Sequence, residues 1–149
     1  MTQEEFIAIL DEKGYSYKIK EDKLVVTGNR HVNLSSFTSL PPGVEFKNGG
    51  DVYLDSLKTL SPDVEFRNGG SVYLDVLTSL PPSVVFMNGG HVVLDSLENI
   101  PPGTEFRNGG SINLRSLTGD YFFHEWSGNI EGIDSKRLLN VMIKRGMFI

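Results

Sequence analysis

The chain has 149 residues, of which 39% are hydrophobic and 22% charged, a composition typical of a single folded domain. Nineteen acidic and fourteen basic residues give a net charge of -5, which argues against nucleic-acid or anionic-membrane binding through phosphate contacts. Because the chain has no Cys, it can form neither a disulfide nor a thiolate metal site. No secretion signal or run of about 18 apolar residues occurs, so we expect a cytoplasmic protein.

The first 23 residues predict an N-terminal cap. The capping box Thr2-Gln-Glu-Glu5 begins a helix over residues 3–13, and Gly14 ends it. The segments 15–20 and 23–27 then alternate around an acidic turn, which predicts a hairpin that leads into the next part of the chain.

Residues 24–118 repeat with a period of 20. An Asn-Gly-Gly motif followed by x-Val/Ile-x-Leu begins at Asn48, Asn68, Asn88 and Asn108, and a proline step precedes each motif. A degenerate copy starts at Leu24, as is typical of the terminal unit of a solenoid. The repeat predicts about five coils.

Each coil predicts two short strands, because apolar and polar residues alternate on both sides of Gly-Gly. The inward positions include a column of Phe46, Phe66, Phe86 and Phe106, and successive coils should lie about 4.8 Å apart. We expect the Gly-Gly pair to supply positive φ angles for a tight corner, and the Asn to bond neighbouring backbone or its equivalents. Proline should occupy the opposite corner.

Residues 119–149 predict a C-terminal cap. The aromatic segment 121–126 is interpreted as a plug on the last coil. A helix that begins at Asp134 or Ser135 should end with Lys144-Arg145 before Gly146.

The sequence thus predicts a mainly β fold: one domain over residues 1–149, a right-handed leucine-rich-repeat-like β-solenoid with a cap at each end. The units resemble a group of repeat proteins from bacteriophages and bacteria, best seen in Leu77-Thr-Ser-Leu-Pro-Pro-Ser-Val-Val-Phe-Met-Asn-Gly-Gly-His-Val-Val-Leu94. Their Leu-x-x-Leu-Pro element is similar to leucine-rich repeats, although Leu57 stands where those repeats have Asn. The resemblance covers residues 24–118 and implies the fold and a phage-related origin, without a mechanism.

Three aspartates, Asp55, Asp75 and Asp95, stack in register on the outer side of the second strand, next to Tyr53 and Tyr73. They admit three interpretations: a solvated face, a face that binds a protein partner, or a calcium site. The Gly-Gly-x-Val-x-Leu-Asp order is only superficially similar to the calcium β-roll, because its third Gly is missing and the period is 20. The first strand instead carries Glu with Lys or Arg in most coils, so we expect that face to be charge-balanced and solvated.

Paired carboxylates also occur in glycosidases, at separations of about 5–10 Å. A convex outer face has no pocket to exclude water, however, and we expect no neighbouring group to raise a carboxyl pKa. His31 and His91 lie three coils, about 14 Å, apart and cannot share a metal ion, and His124 lies in the aromatic plug. We therefore expect no enzyme activity, no cofactor and no metal.

These observations predict a non-enzymatic module that binds a protein through the outer strand face. The candidate binding residues are Asp51, Tyr53, Asp55, Tyr73, Asp75, His91 and Asp95. The alternative is a phage-encoded inhibitor of a host nuclease or anti-phage defence complex, anti-CRISPR-like, with the acids presented as a nucleic-acid mimic. Neither hypothesis involves direct nucleic-acid or membrane binding, and the oligomeric state stays open.

Overall fold

The computed structural model describes residues 1–82 and 84–116, together with the backbone of Tyr121–Trp126 and Ile130–Glu131. It contains one helix in these regions, α1 (Gln3–Lys13). The strands are β1 (Ser16–Lys20), β2 (Lys23–Thr27), β3 (Val32–Asn33), β4 (Val44–Phe46), β5 (Val52–Tyr53), β6 (Glu65–Phe66), β7 (Val72–Tyr73), β8 (Val85–Phe86), β9 (Val92–Val93), β10 (Ile100–Phe106), β11 (Ile112–Asn113), β12 (Tyr121–Trp126) and β13 (Ile130–Glu131).

Helix α1 begins and ends where the sequence predicts. The Thr2 hydroxyl accepts a hydrogen bond from the Glu5 amide at 3.1 Å, and the Glu5 carboxylate accepts one from the Thr2 amide at 3.3 Å. Gly14 ends the helix with a left-handed φ of 72°. Phe6 and Leu10 on its inner side are fully buried, so the helix closes one end of the hydrophobic core.

Two sheets run along the molecule, and the chain alternates between them. Sheet A has the order β1-β2-β4-β6-β8-β10-β12, and sheet B the order β13-β11-β9-β7-β5-β3. The antiparallel pair β1–β2 is the predicted hairpin, and the other strand pairs are parallel. In the repeats each strand pairs in register with its equivalent 20 residues away, as Val52 does with Val72. The predicted β-solenoid with two strands per coil is confirmed.

The four repeat phenylalanines form the predicted ladder between the sheets. Their side chains are fully buried, with successive ring centroids 5.5, 5.3 and 5.4 Å apart and interplanar angles of 4°, 9° and 4°. This spacing lies within the range favoured by stacked aromatic rings. The ladder holds the two sheets on one continuous core.

The predicted role of the Gly-Gly pair was wrong, because none of these glycines has a positive φ. They are required instead by the close approach of neighbouring coils. A Cβ on Gly69 would lie only 2.6 Å from the carbonyl oxygen of Gly49, a distance that no side chain tolerates. The asparagines act as predicted on the backbone: Asn68 Nδ2 donates to the carbonyls of Gly50 and Ser71, both at 3.1 Å.

At the C-terminal end, β12 pairs with β10 and β13 pairs with β11, so each sheet continues by one strand beyond the repeats. The aromatic segment thus has a strand backbone that extends sheet A. The helix predicted from Asp134 or Ser135 lies outside the described residues. Among the residues that are described, no helix has the length and apolar character needed to span a bilayer.

Candidate functional site

The outer face of sheet B carries three parallel columns of side chains, one residue per coil. The acceptor column follows the Gly-Gly corner, the tyrosine column lies on the strands, and the aspartate column follows them. The acceptor column consists of His31, Asp51, Ser71, His91 and Ser111. The tyrosine column consists of Asn33, Tyr53, Tyr73, Val93 and Asn113. The aspartate column consists of Ser35, Asp55, Asp75, Asp95 and Arg115.

The tyrosine column contains a stacked pair. The rings of Tyr53 and Tyr73 are parallel within 3°, with centroids 4.9 Å apart, because in-register parallel strands place equivalent residues one above the other. The Tyr53 hydroxyl donates to Asp51 Oδ2 at 3.0 Å. This hydrogen bond, with smaller contributions from burial and the neighbouring negative charges, raises the pKa of Tyr53 above its usual value. The pair is therefore a rigid, half-buried aromatic surface.

The acceptor column is a structural ladder. The Asp51 amide donates to His31 Nδ1 at 2.8 Å, and the Ser71 amide donates to Asp51 Oδ1 at 2.7 Å. The His91 amide then donates to Ser71 Oγ at 3.0 Å, and the Ser111 amide to His91 Nδ1 at 2.9 Å. The first four side chains of the column thus each satisfy a backbone donor of the following coil.

This ladder was not foreseen from the sequence, although the sequence carries its signal: the residue after every corner has a polar side chain with an acceptor atom. Asp51 and His91, two of the candidate binding residues, thereby acquire a structural role at the border of the face. The imidazole of His91 accepts through Nδ1, so its neutral form carries the proton on Nε2.

The aspartate column is capped at both ends. Ser35 Oγ donates to Asp55 Oδ2 at 3.1 Å, and Arg115 Nε lies 3.9 Å from Asp95 Oδ1. Among the described residues, no ion pair joins Asp55 or Asp75 to a cation. The middle of the column therefore holds adjacent carboxyl groups without a positive partner from the described chain.

Asp75 responds to this environment. Burial raises its pKa from the usual 3.8 to about 6, together with a hydrogen bond to Asp55 and the negative charges of Asp55 and Asp95. We had expected no neighbouring group to raise a carboxyl pKa on this face, and that expectation was wrong. The physical reasons are the partial burial of Asp75 and the in-register stacking, which makes Asp55 both a hydrogen-bond partner and a neighbouring negative charge.

The outer face of sheet A is organised differently, as an ion network. Glu45 lies within 4 Å of three cations: Lys23 at 3.8 Å, Lys47 at 3.3 Å and Arg67 at 3.5 Å. Glu65 pairs with Lys23 at 2.7 Å and with Arg67 at 3.2 Å. Burial alone would raise the pKa of Glu65, but the two cations outweigh it and lower the pKa. This face is charge-balanced, as the sequence suggests, although the carboxylate of Glu45 is largely buried.

Both faces contain a depression at the fourth coil, residues 84–103 when the degenerate copy from Leu24 is counted as the first. On sheet A, a cleft of about 350 Å³ lies over Val85 and Met87, where the Glu–Arg pattern is interrupted. On sheet B, a shallower depression of about 200 Å³ is lined by Tyr73, His91, Val93, Ser111 and Asn113. We call it the Val93 depression.

No cluster of three or more His, Asp or Glu side chains suited to a metal ion occurs in the described part of the chain. The carboxyl groups of the aspartate column form a line along the solenoid axis instead of converging on one point.

No protein-family model, no curated protein and no solved structure matches the chain.

Proposed function

We propose that the protein is a non-enzymatic binding module that recognises a basic segment of another protein through the outer face of sheet B. The surface consists of the stacked Tyr53 and Tyr73 and the neighbouring column of Asp55, Asp75 and Asp95. The observation that carries the proposal is the contrast in charge pairing between the two faces. On sheet A, the carboxylate of Glu45 forms ion pairs with neighbouring cations, whereas on sheet B Asp55 and Asp75 form no ion pair with a cation among the described residues.

The electrostatics of the column favour a cationic ligand. Two carboxylates about 5 Å apart repel by on the order of 1 kcal/mol in water, and by more where they are partly buried. A cation placed over Asp75 would relieve this repulsion and would favour the ionised form of its carboxyl group. Binding of a basic segment would thus be coupled to loss of the Asp75 proton.

The tyrosines supply the apolar part of such an interface. Stacked, half-buried rings are rigid, so little conformational entropy is lost when a partner covers them. Tyrosine is also enriched among the residues that dominate binding energy. Extended repeat surfaces typically bind proteins in this manner.

A catalytic role has less support. Asp75 lines neither the cleft on sheet A nor the Val93 depression, so its raised pKa is not accompanied by a recess for a substrate. We therefore assign the raised pKa of Asp75 to its partial burial together with the stacking of like charges.

The proposal is tested with D55N/D75N/D95N, which removes the charge of the column at nearly constant volume. The matched control is E4Q/E12Q/E98Q, which changes net charge equally at exposed positions off the face. Arrays of acidic, apolar and basic peptides are probed with the labelled wild type and both variants. We expect the wild type and the control to retain basic peptides, and the column variant to lose about tenfold or more in affinity. Retention of basic peptides that is unaffected by D55N/D75N/D95N would refute the proposal.

The alternative function is inhibition of a host nuclease or of an anti-phage defence complex. The feature that favours it is the straight column of three acids, which a basic nucleic-acid cleft could contact. In that case a DNA duplex should compete with the protein for the nuclease, and D55N/D75N/D95N should relieve inhibition. Inhibition that persists in this variant would exclude the mimic and leave the peptide-binding proposal to its own test.

A further inference from the structure

The stack of tyrosines stops abruptly. Tyr53 covers one side of the Tyr73 ring, and the next member of the column is Val93, which has no ring. The space where a third ring would lie is the Val93 depression, and Tyr73 forms part of its wall. The side of the Tyr73 ring that faces the fourth coil is therefore accessible to a ligand.

A flat group fits this space best, because the stacked rings of this column are only 4.9 Å apart. The charge of the surroundings selects among flat groups. Asp75 and Asp95 do not line the depression but belong to the adjacent column, and Asp95 lies two residues beyond Val93, about 7 Å along an extended chain. Acidic neighbours favour a planar cation over a neutral aromatic ring.

We propose that the Val93 depression receives the guanidinium group of an arginine from the partner, stacked on Tyr73 and paired with Asp95 or Asp75. This inference rests on the proposed function and specifies the residue by which a basic segment is recognised. A guanidinium combines a flat face with a fork of donors that matches a carboxylate, whereas the ammonium of lysine offers neither.

The chain itself contains one example of each interaction, an arginine over a tyrosine ring and an arginine beside an aspartate. The Arg30 guanidinium lies over the Tyr15 ring, 5.1 Å from its centroid, at the N-terminal end of the solenoid. The Arg115 guanidinium lies 3.9 Å from the Asp95 carboxylate at the other end of the aspartate column. The proposed site brings the two kinds of contact together on one ligand side chain.

The test compares arginine with lysine at constant charge. Three peptides of nine residues, built on Gly and Ser with three arginines, three lysines or three citrullines, are titrated into the protein by calorimetry. We expect the arginine peptide to bind about tenfold more tightly than the lysine peptide, and the neutral citrulline peptide not to bind.

The decisive variant is V93Y, which fills the depression with the residue that the two preceding coils carry. It should reduce the preference for arginine to less than about twofold while the lysine peptide binds as before. The matched control V85Y makes the same change on the outer face of sheet A and should keep the full preference. Y73L removes the ring from the opposite wall and should also reduce the preference for arginine to less than about twofold, while it weakens both basic peptides because Tyr73 belongs to the binding surface. A folding defect in either variant leaves the other as the test.

The outcomes separate the inference from the function on which it rests. Equal affinity of the wild type for arginine and lysine peptides, or an arginine preference that survives both V93Y and Y73L, would overturn the inference. The proposed function would then stand, provided that D55N/D75N/D95N still abolished binding of both peptides. If neither the arginine peptide nor the lysine peptide bound the wild type, both the inference and the proposed function would be overturned.

Discussion

The outer faces of sheets A and B are built from the same 20-residue repeat and cover the same phenylalanine ladder, yet their acidic side chains differ in whether they are paired with cations. On sheet A, Glu45 is surrounded by three cations. On sheet B, Asp55 and Asp75 face each other, and the pKa of Asp75 is raised to about 6. The repeat constrains the inward and corner residues and leaves the outward positions free to differ. Function in such a fold is therefore to be sought among the outward residues.

The largest expected effect concerns the corner that joins the two faces. G69A should lower the free energy of unfolding by about 3 kcal/mol, because its new Cβ would meet the Gly49 carbonyl at 2.6 Å and force the coils apart. The φ of Gly69 is not positive, so the substitution tests crowding and not backbone strain. Urea unfolding followed by circular dichroism measures the change.

The matched control for this prediction is G49A, at the equivalent position one coil earlier. There the nearest atom to the new Cβ is the Asn29 Cα at 3.2 Å, so a small adjustment relieves the contact. We expect G49A to have less than half the effect of G69A. Equal effects would mean that the approach of the new Cβ to the Gly49 carbonyl does not distinguish the two coils, which would contradict crowding as the cause.

On sheet A, E45Q should lower the free energy of unfolding by about 1.5 kcal/mol. The variant leaves Lys23, Lys47 and Arg67 close together without the carboxylate between them, at a site where the Glu45 side chain is only 9% exposed. Urea unfolding at low and high salt measures the loss, which should shrink as salt screens the repulsion among the cations.

The control for E45Q is E98Q, at an exposed position, with an expected change close to zero. If E45Q had no effect on stability or increased it, the desolvation penalty of the Glu45 carboxylate would equal or exceed its attraction to the three cations. Sheet A would then resemble sheet B in carrying uncompensated acid.

Much of this architecture is readable from the sequence, and the part that is not has a physical reason. The period of 20 predicts two strands in each coil, and the alternation of apolar and polar residues predicts that the side chains of Phe66 and Val72 face the core. The column containing Asp55 and Asp75 follows directly from the register. Periodicity carries no distances, however, so it shows neither the hydrogen bond between Ser71 and Asp51 nor the proton affinity of Asp75. Both depend on atomic separations within neighbouring coils.

On sheet B, the corresponding change from carboxylate to amide should have the opposite sign. Because the folded protein raises the pKa of Asp75 from 3.8 to about 6, it binds this proton more tightly than the unfolded chain does. The associated stability is fully present below pH 3.8 and is lost as the pH rises through about 6.

D75N resembles the protonated carboxyl group, so it should stabilise the protein at pH 7.5 by about 1 kcal/mol. This is less than the full pKa shift would give, because solvent screens the partly exposed group. Unfolding measured from pH 4 to pH 7.5 should show the advantage of D75N over wild type growing across this window, whereas E98Q should follow wild type throughout. If D75N were instead less stable than wild type at pH 7.5, the Asp75 carboxylate would have to be compensated within the chain, and the contrast between the two faces, with the need for an external cation, would disappear.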